Sequence, residues 1–454
     1  MAIAQRALTR NQTRDRGNFT SRVLRWLGRW YLVFVVAMWT LIPEARRLVD
    51  WEMGYNSLAI VALLPTISLI PLLFALFFRN DKPVPTYVKI TAWLFAGAFI
   101  YAFVVAFALS NLISGTYEFV EYILPLIFGI WLLRSTGLTA EESIGRLSTS
   151  LLVFGGISAL YGLIQYAAPP PWDVVWVENS NLASIGTPVP FGLRIFGTLN
   201  APGPYADVLV AALLLNLRFV QAGQWWRILV MTPIIAALGL SLVRADWVAL
   251  VLGIGVYVVL SPARKKILVP LIFITAISTG VLLNLNTLFG SSSNATQQFS
   301  DRLSTFGNLQ EDTSAQARGD IFSYTWNTLI AEPFGQGLGV VGTSTKLGKG
   351  QETVSFDNGF LARLFEMGII GFPLYMATLG TALVVTLRAW LRAQRAGDRR
   401  IMEIMTASIA FQFALIVLDS AGDHHGGFIG CLFWAVFVLS LQLGSKASSP
   451  VTQG

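Results

Sequence analysis

The chain is 454 residues long, 54% hydrophobic and only 13% charged, with a mean hydropathy of +0.61. A soluble globular chain carries about 25% charged residues, so this composition excludes an ordinary soluble fold. Continuous apolar runs of about 20 residues point instead to an all-α, polytopic integral membrane protein, and their lack of alternation excludes a closed β-barrel.

The single cysteine, Cys431, leaves no room for a disulfide framework or a cysteine metal site. The net charge of +7 is spread over short loops, the pattern of membrane topology rather than of nucleic-acid binding. Before the first apolar run stand Arg6, Arg10, Arg14, Arg16, Arg22, Arg25 and Arg29, with no small-residue cleavage site after a short apolar core. This reads as a retained signal-anchor.

Apolar runs near 30–43, 57–78, 89–111, 117–133, 147–166, 203–217, 228–243, 247–260, 267–288, 360–387, 401–420 and 427–443 predict about twelve transmembrane helices. Each must be helical, because lipid offers the backbone no other hydrogen-bond partner. With the N- and C-termini in the cytoplasm, most of the 32 Lys and Arg residues fall on the inner side. The segments 167–202 and 289–359 then lie on the periplasmic face. No repeat of 20–50 residues is visible, so residues 1–454 form one integral domain, with 289–359 as a large periplasmic loop.

The charges of the spans cluster at one surface. Glu118, Glu121, Asp207, Arg363, Glu366 and Asp419 all fall toward the outer ends. A charge at the bilayer centre costs about 2.5–3.5 kcal/mol on insertion scales, and such residues mark transport paths. The alternative function, a multi-span lipid or solute transporter, predicts ionisable or helix-breaking residues at mid-membrane in matching halves, and none are found.

Four stretches can carry chemistry. The first runs from Pro169-Pro170-Pro171-Trp172 to Gly192-Leu193-Arg194-Ile195-Phe196-Gly197-Thr198-Leu199-Asn200-Ala201-Pro202. Its Pro and Gly content predicts a rigid, non-helical segment before the sixth span. Arg194 there reads as a phosphate contact or as an interface anchor. The second is the tight turn around Arg244-Ala245-Asp246-Trp247. A guanidinium at the membrane boundary grips a phosphate through two parallel donors; the plainer reading pairs Arg244 with Asp246 or lets it snorkel.

The third is a helix from Thr313 or Ser314, closed by Pro333 and Gly335. Arg318, Phe322 and Trp326 fall four apart on one face, and Ile321 and Leu329 add apolar surface for the membrane domain or its interface. Arg318 is then aimed at the outer leaflet, or is a solvated arginine. The glycines that follow, Gly335, Gly337, Gly339 and Gly342, formally contain G-x-G-x-x-G, but no strand precedes them, and a flexible backbone lid is expected. The fourth is Asp357-Asn358-Gly359, where the loop returns to the membrane. Asp357 reads as a helix N-cap or as a base taking a proton from a sugar hydroxyl. Arg363 and Glu366, three apart, are expected to pair. The two histidines, His424 and His425, occupy the last outer turn, as an interfacial turn or a proton shuttle.

At these residues the chain resembles the O-antigen ligase and polymerase superfamily of bacterial polysaccharide assembly. The likeness covers roughly 190–375: Arg-x-Phe-Gly-Thr-Leu-Asn-x-Pro at 194–202, Arg-x-x-Trp at 244–247, the Arg318 helix with its glycines, and Asp357-Asn358 before Gly368-Ile369-Ile370-Gly371. The resemblance implies a metal-independent glycosyltransferase of the bacterial inner membrane, acting on the periplasmic side without a cofactor. Its donor would be a glycan on undecaprenyl pyrophosphate, its acceptor a second glycan or lipid A-core. It implies pyrophosphate binding by Arg244 and Arg318, with Arg194 and Asn358 as further substrate contacts. In ligases a histidine usually precedes the Asn of the fourth motif; here Asp357 occupies it. The base is then Asp357, His424 or His425, and the reading tilts toward polymerase over ligase.

Overall fold

The computed structural model describes residues 30–73, 83–134, 138–180, 185–221, 224, 226–262, 313–347, 356, 358–422 and 425–447. Among them the regular structure is helical, with no strand and one isolated bridge between Gly186 and Leu193. The helices are α1 (residues 30–53), α2 (Leu64–Ile67), α3 (Thr86–Ala108), α4 (Leu112–Arg134), α5 (Ala140–Ala167), α6 (Pro171–Ser180) and α7 (Pro202–Gln221). There follow α8 (Trp226–Leu240), α9 (Arg244–Leu260), α10 (Thr313–Ala331), α11 (Gly359–Arg395), α12 (Arg399–Leu418) and α13 (Gly427–Ala447).

Six helices, α3, α4, α5, α11, α12 and α13, are long and apolar enough to cross a membrane. The expected run 267–288 lies outside the described residues. Of the expected span 57–78, residues 74–78 lie outside the described residues, and residues 59–73 form a short apolar helical stretch made of a 3-10 turn, the four-residue α2 and a further short turn. Pro65 stands in the first turn of α2, where a missing amide costs least, and Pro71 opens the next turn, so the prolines fall at the breaks.

α13 is the pillar of the bundle. It is apolar all round, and 94% of its central window is buried inside the protein, the state expected of a helix without a polar face. It packs against α4, α11, α12 and α5. Trp434, on α13, is completely buried and meets Phe95 of α3 edge-on at 5.2 Å. Around this pillar α11 pairs with α3, α5 with α8, and α9 with α12.

α9 and α12 run antiparallel. Near one end the Tyr257 hydroxyl donates to Glu403 at 2.8 Å; further along, the position of Gly253 faces the Ala410 carbonyl. From there to Arg244 and to Asp419 is nine residues on either helix, or about 13 Å at 1.5 Å per residue. Arg244 and Asp419 therefore stand at the same level, at one end of the bundle. Glu403, Tyr257 and Ser261 mark the other end.

Candidate functional site

The motif at 194–202 is held from below by buried polar groups. Gln165 of α5 accepts the amides of Phe196 (3.0 Å) and Gly197 (3.1 Å), and Ser158 accepts that of Thr198 at 3.0 Å. Arg47 of α1, with no exposed surface, donates to the carbonyls of Gly197 (2.6 Å) and Leu199 and pairs with Glu44 and, at 2.7 Å, with Asp173. Tyr161 and Gln165 donate to the second oxygen of Asp173 at 2.8 and 2.6 Å. Residues 194–201 are non-helical, as the Pro and Gly content predicts, with buried donors and acceptors in place of a helical ladder; the earlier part of the stretch is corrected, since Pro171–Ser180 form α6.

Its first residue reaches the second motif. The half-buried guanidinium of Arg194 donates to the carbonyls of Ser241 (3.1 Å) and Leu242 (3.3 Å). These belong to the turn between α8 and α9, where Leu242 adopts φ 54°. Arg244 is the first residue of α9, where helix-end amides add to its positive field. It too is half-buried, and Asp246, two residues on, is buried. The two arginines are thus brought together by backbone contact.

The third motif forms α10, within the bounds that the caps predict. Arg318 lies on α10 by its backbone, and its side chain is outside the described set. Ile321 and Leu329 are half-buried, Thr325 is buried, and Tyr324 meets Phe365 of α11 at 5.8 Å. Phe322 and Trp326 are 55% and 53% exposed, so the helix carries an aromatic edge away from the bundle, as an interfacial helix does.

The glycines after α10 are not a flexible lid, and this corrects the sequence reading. α11 is broken at Gly368, whose φ of 58° and ψ of −164° release the carbonyls of the preceding turn. The amides of Gln336 and Gly337 occupy those of Phe365 and Glu366, both at 3.0 Å, while Ile369 donates back to Pro333 at 2.9 Å. Gly339 donates to Glu118 at 2.6 Å, and Asn111 holds the Leu338 carbonyl at 2.9 Å. Gly337 and Gly339, at φ 78° and 84°, press against Ala106 and Ser114, where a Cβ would overlap backbone. The backbone groups of the loop are satisfied by protein, the condition under which irregular backbone is tolerated beside lipid.

Beneath that loop lies a buried charge cluster. Arg363 bonds Glu118 at 2.6 Å and Glu366 at 2.7 Å, all three almost fully buried, and stands over the Tyr122 ring at 4.8 Å. The expected Arg363–Glu366 pair is present, and Glu118, 245 residues away, completes it.

At the fourth motif the N-cap of α11 is Asn358, not Asp357: its backbone is extended and its side chain accepts the Leu361 amide at 3.0 Å. Asp357 and His424 lie outside the described residues. The amides of Gly359 (2.8 Å) and Phe360 (3.3 Å) donate to the main-chain carbonyl of Asp419. His425 lies in the turn between α12 and α13, as expected, with its side chain completely buried. Its Nδ1 is 2.9 Å from Asp419. Neither the Asp419–His425 pair nor the Arg47–Asp173 pair follows from local spacing; the outer-end position of Asp419 was the one visible signal. Among the described residues no group of three or more His, Cys, Asp or Glu is arranged to hold a metal.

This end of the bundle therefore gathers Arg194, Arg244, Asn358 and the first turn of α11. A comparison with curated proteins returned no match. Residues 228–376, which include Arg244, Arg318, Asp357 and Asn358, match the family model described as O-antigen ligase (Wzy_C). Over these residues, about a third of the chain, the sequence is similar to the O-antigen ligase family, which supports the O-antigen ligase and polymerase superfamily.

Proposed function

We propose that the protein is a periplasmic-face glycosyltransferase that transfers a glycan from undecaprenyl pyrophosphate to a sugar hydroxyl in O-antigen or exopolysaccharide assembly. The observation that carries this is the seating of Arg194 on the carbonyls of Ser241 and Leu242, two residues before Arg244, at the end of the bundle where α11 begins.

In this reading the acceptor hydroxyl attacks the anomeric carbon. The bond from that carbon to the phosphate oxygen breaks, and its electron pair leaves with the pyrophosphate. Arg244, Arg318 and Arg194 stabilise the charge that grows there, in a site drier than bulk water, where fixed cations count for more. Asp357 takes the hydroxyl proton, with His424 as the other candidate, and Asn358 helps orient the acceptor. The arginines do the neutralising, so chelation by EDTA should leave turnover unchanged.

Asp357 in place of the ligase histidine favours polymerase. The test is incubation of purified protein with undecaprenyl-pyrophosphate-linked repeat units, with and without lipid A-core. A ladder without the core acceptor means polymerase, transfer only with it means ligase, and no consumption of donor in either arm overturns the reading.

A further inference from the structure

One buried titratable group at this end has no task in the proposed reaction. His425 and Asp419 are completely buried and Tyr375 is 1% exposed. His425 Nδ1 is 2.9 and 3.1 Å from the two Asp419 carboxylate oxygens. The Tyr375 hydroxyl is 3.4 Å from Asp419 and 3.1 Å from the same Nδ1. The consistent proton assignment has Nδ1–H and the tyrosine O–H both donating to the carboxylate. The ring is gripped edge-on by Phe433 at 4.9 Å and by Tyr375 at 5.9 Å. Its Nε2 is buried with no hydrogen-bond partner.

Asp419 works through two groups at once. Its side chain receives His425, and its main-chain carbonyl receives the amides of Gly359 and Phe360, the first two residues of α11. Asn358 caps the same turn through Leu361. A carboxylate that loses its donor in a buried site is driven to rotate or to draw in water. The backbone shift of Asp419 that accommodates this change moves its carbonyl and frees the first turn of α11. Neither Asp419 nor His425 lies within the matched segment 228–376.

We propose that His425 is a positioning residue: through Asp419 it latches the N-terminus of α11 and so fixes the acceptor-side Asn358. Its effect on turnover rests on the function proposed above; its effect on the α11 terminus does not. The variants that separate the parts are H425A, which removes the donor, and H425N, whose side-chain amide N–H stands where Nδ1–H stood and which has no second ring nitrogen.

Two readouts are needed. Amide hydrogen exchange over residues 358–362 reads the latch with no substrate present. Expected is exchange about tenfold faster in H425A, the worth of roughly one hydrogen bond, with H425N within about threefold of the wild type. Turnover of the lipid-linked donor then follows the same order, with H425A losing kcat at unchanged donor KM, and H425N restoring it. Equal exchange in H425A and wild type overturns the latch whatever the turnover. Failure of H425N to rescue either readout overturns positioning through Nδ1. If the wild type does not consume the donor, the exchange arm still decides the latch.

Discussion

Two kinds of arginine share one end of this bundle. Arg47 and Arg363 are buried and each holds carboxylates: Asp173 at 2.7 Å and Glu44 for the one, Glu118 at 2.6 Å and Glu366 at 2.7 Å for the other. Arg194 and Arg244 are half-buried at the rim, and Arg194 is seated on main-chain carbonyls. By sequence all four are outer-face cations. The first two lie inside the fold, each pinning a non-helical segment: 194–202 under Arg47, the glycine loop under the cluster of Arg363. In the proposed reaction it is the rim pair that meets the anionic substrate.

The sharpest break of that comparison is Arg363→Met. Removing one partner of a buried ion pair strands the other, at a cost of about 3–5 kcal/mol. Here it strands Glu118 and Glu366 together. Unfolding in detergent should shift by that order, and polymer output should fall only as folded protein falls. Arg363→Met at wild-type stability would mean the cluster is not structural.

Arg244→Ala should do the opposite. Its unfolding should stay near wild type, while turnover drops by about 10²–10³-fold, as when one donor is removed from a site of developing charge. Arg318→Ala should match it, and Arg244→Lys should restore only part, since an ammonium lacks the paired donors. Loss of stability in step with activity would move Arg244 into the class of Arg363.

Gly337→Ala probes the loop that the buried class supports. At φ 78°, with backbone of Ala106 against the Cβ position, it should cost about 1–3 kcal/mol of strain. Raised hydrogen exchange over 335–342, with α13 unaffected, is the expected signature.

What the sequence disclosed divides along the same line. Helices with local signals were legible: α10 opens at Thr313 and closes before Pro333, and Arg363 pairs with Glu366 three residues on. The family was legible too, because its motifs are short and ordered along the chain. The distant partners of Arg47 and Arg363 were not, since Asp173 and Glu118 approach them only through packing between helices far apart in sequence. The glycine cluster misled for a related reason. Glycines that give freedom to a loop and glycines that let a loop enter a helix break look the same in sequence; the kink at Gly368 decides between them.

The smallest effect separates a cap from a contact. Asn358 caps α11 through Leu361, and Thr139 caps α5 through Glu142 in a reciprocal capping box at the far side of the sequence motifs. Each cap lost to alanine costs about 0.5–2 kcal/mol. Asn358→Ala and Thr139→Ala should therefore destabilise alike in the same unfolding measurement. Their activities should part, because Asn358 stands beside Asp357 and is proposed to touch the acceptor. At matched stability, turnover of Asn358→Ala should be lower by about tenfold, the worth of one hydrogen bond to substrate. If the two variants lose activity in equal measure, Asn358 is a cap alone, and the acceptor is held by other groups.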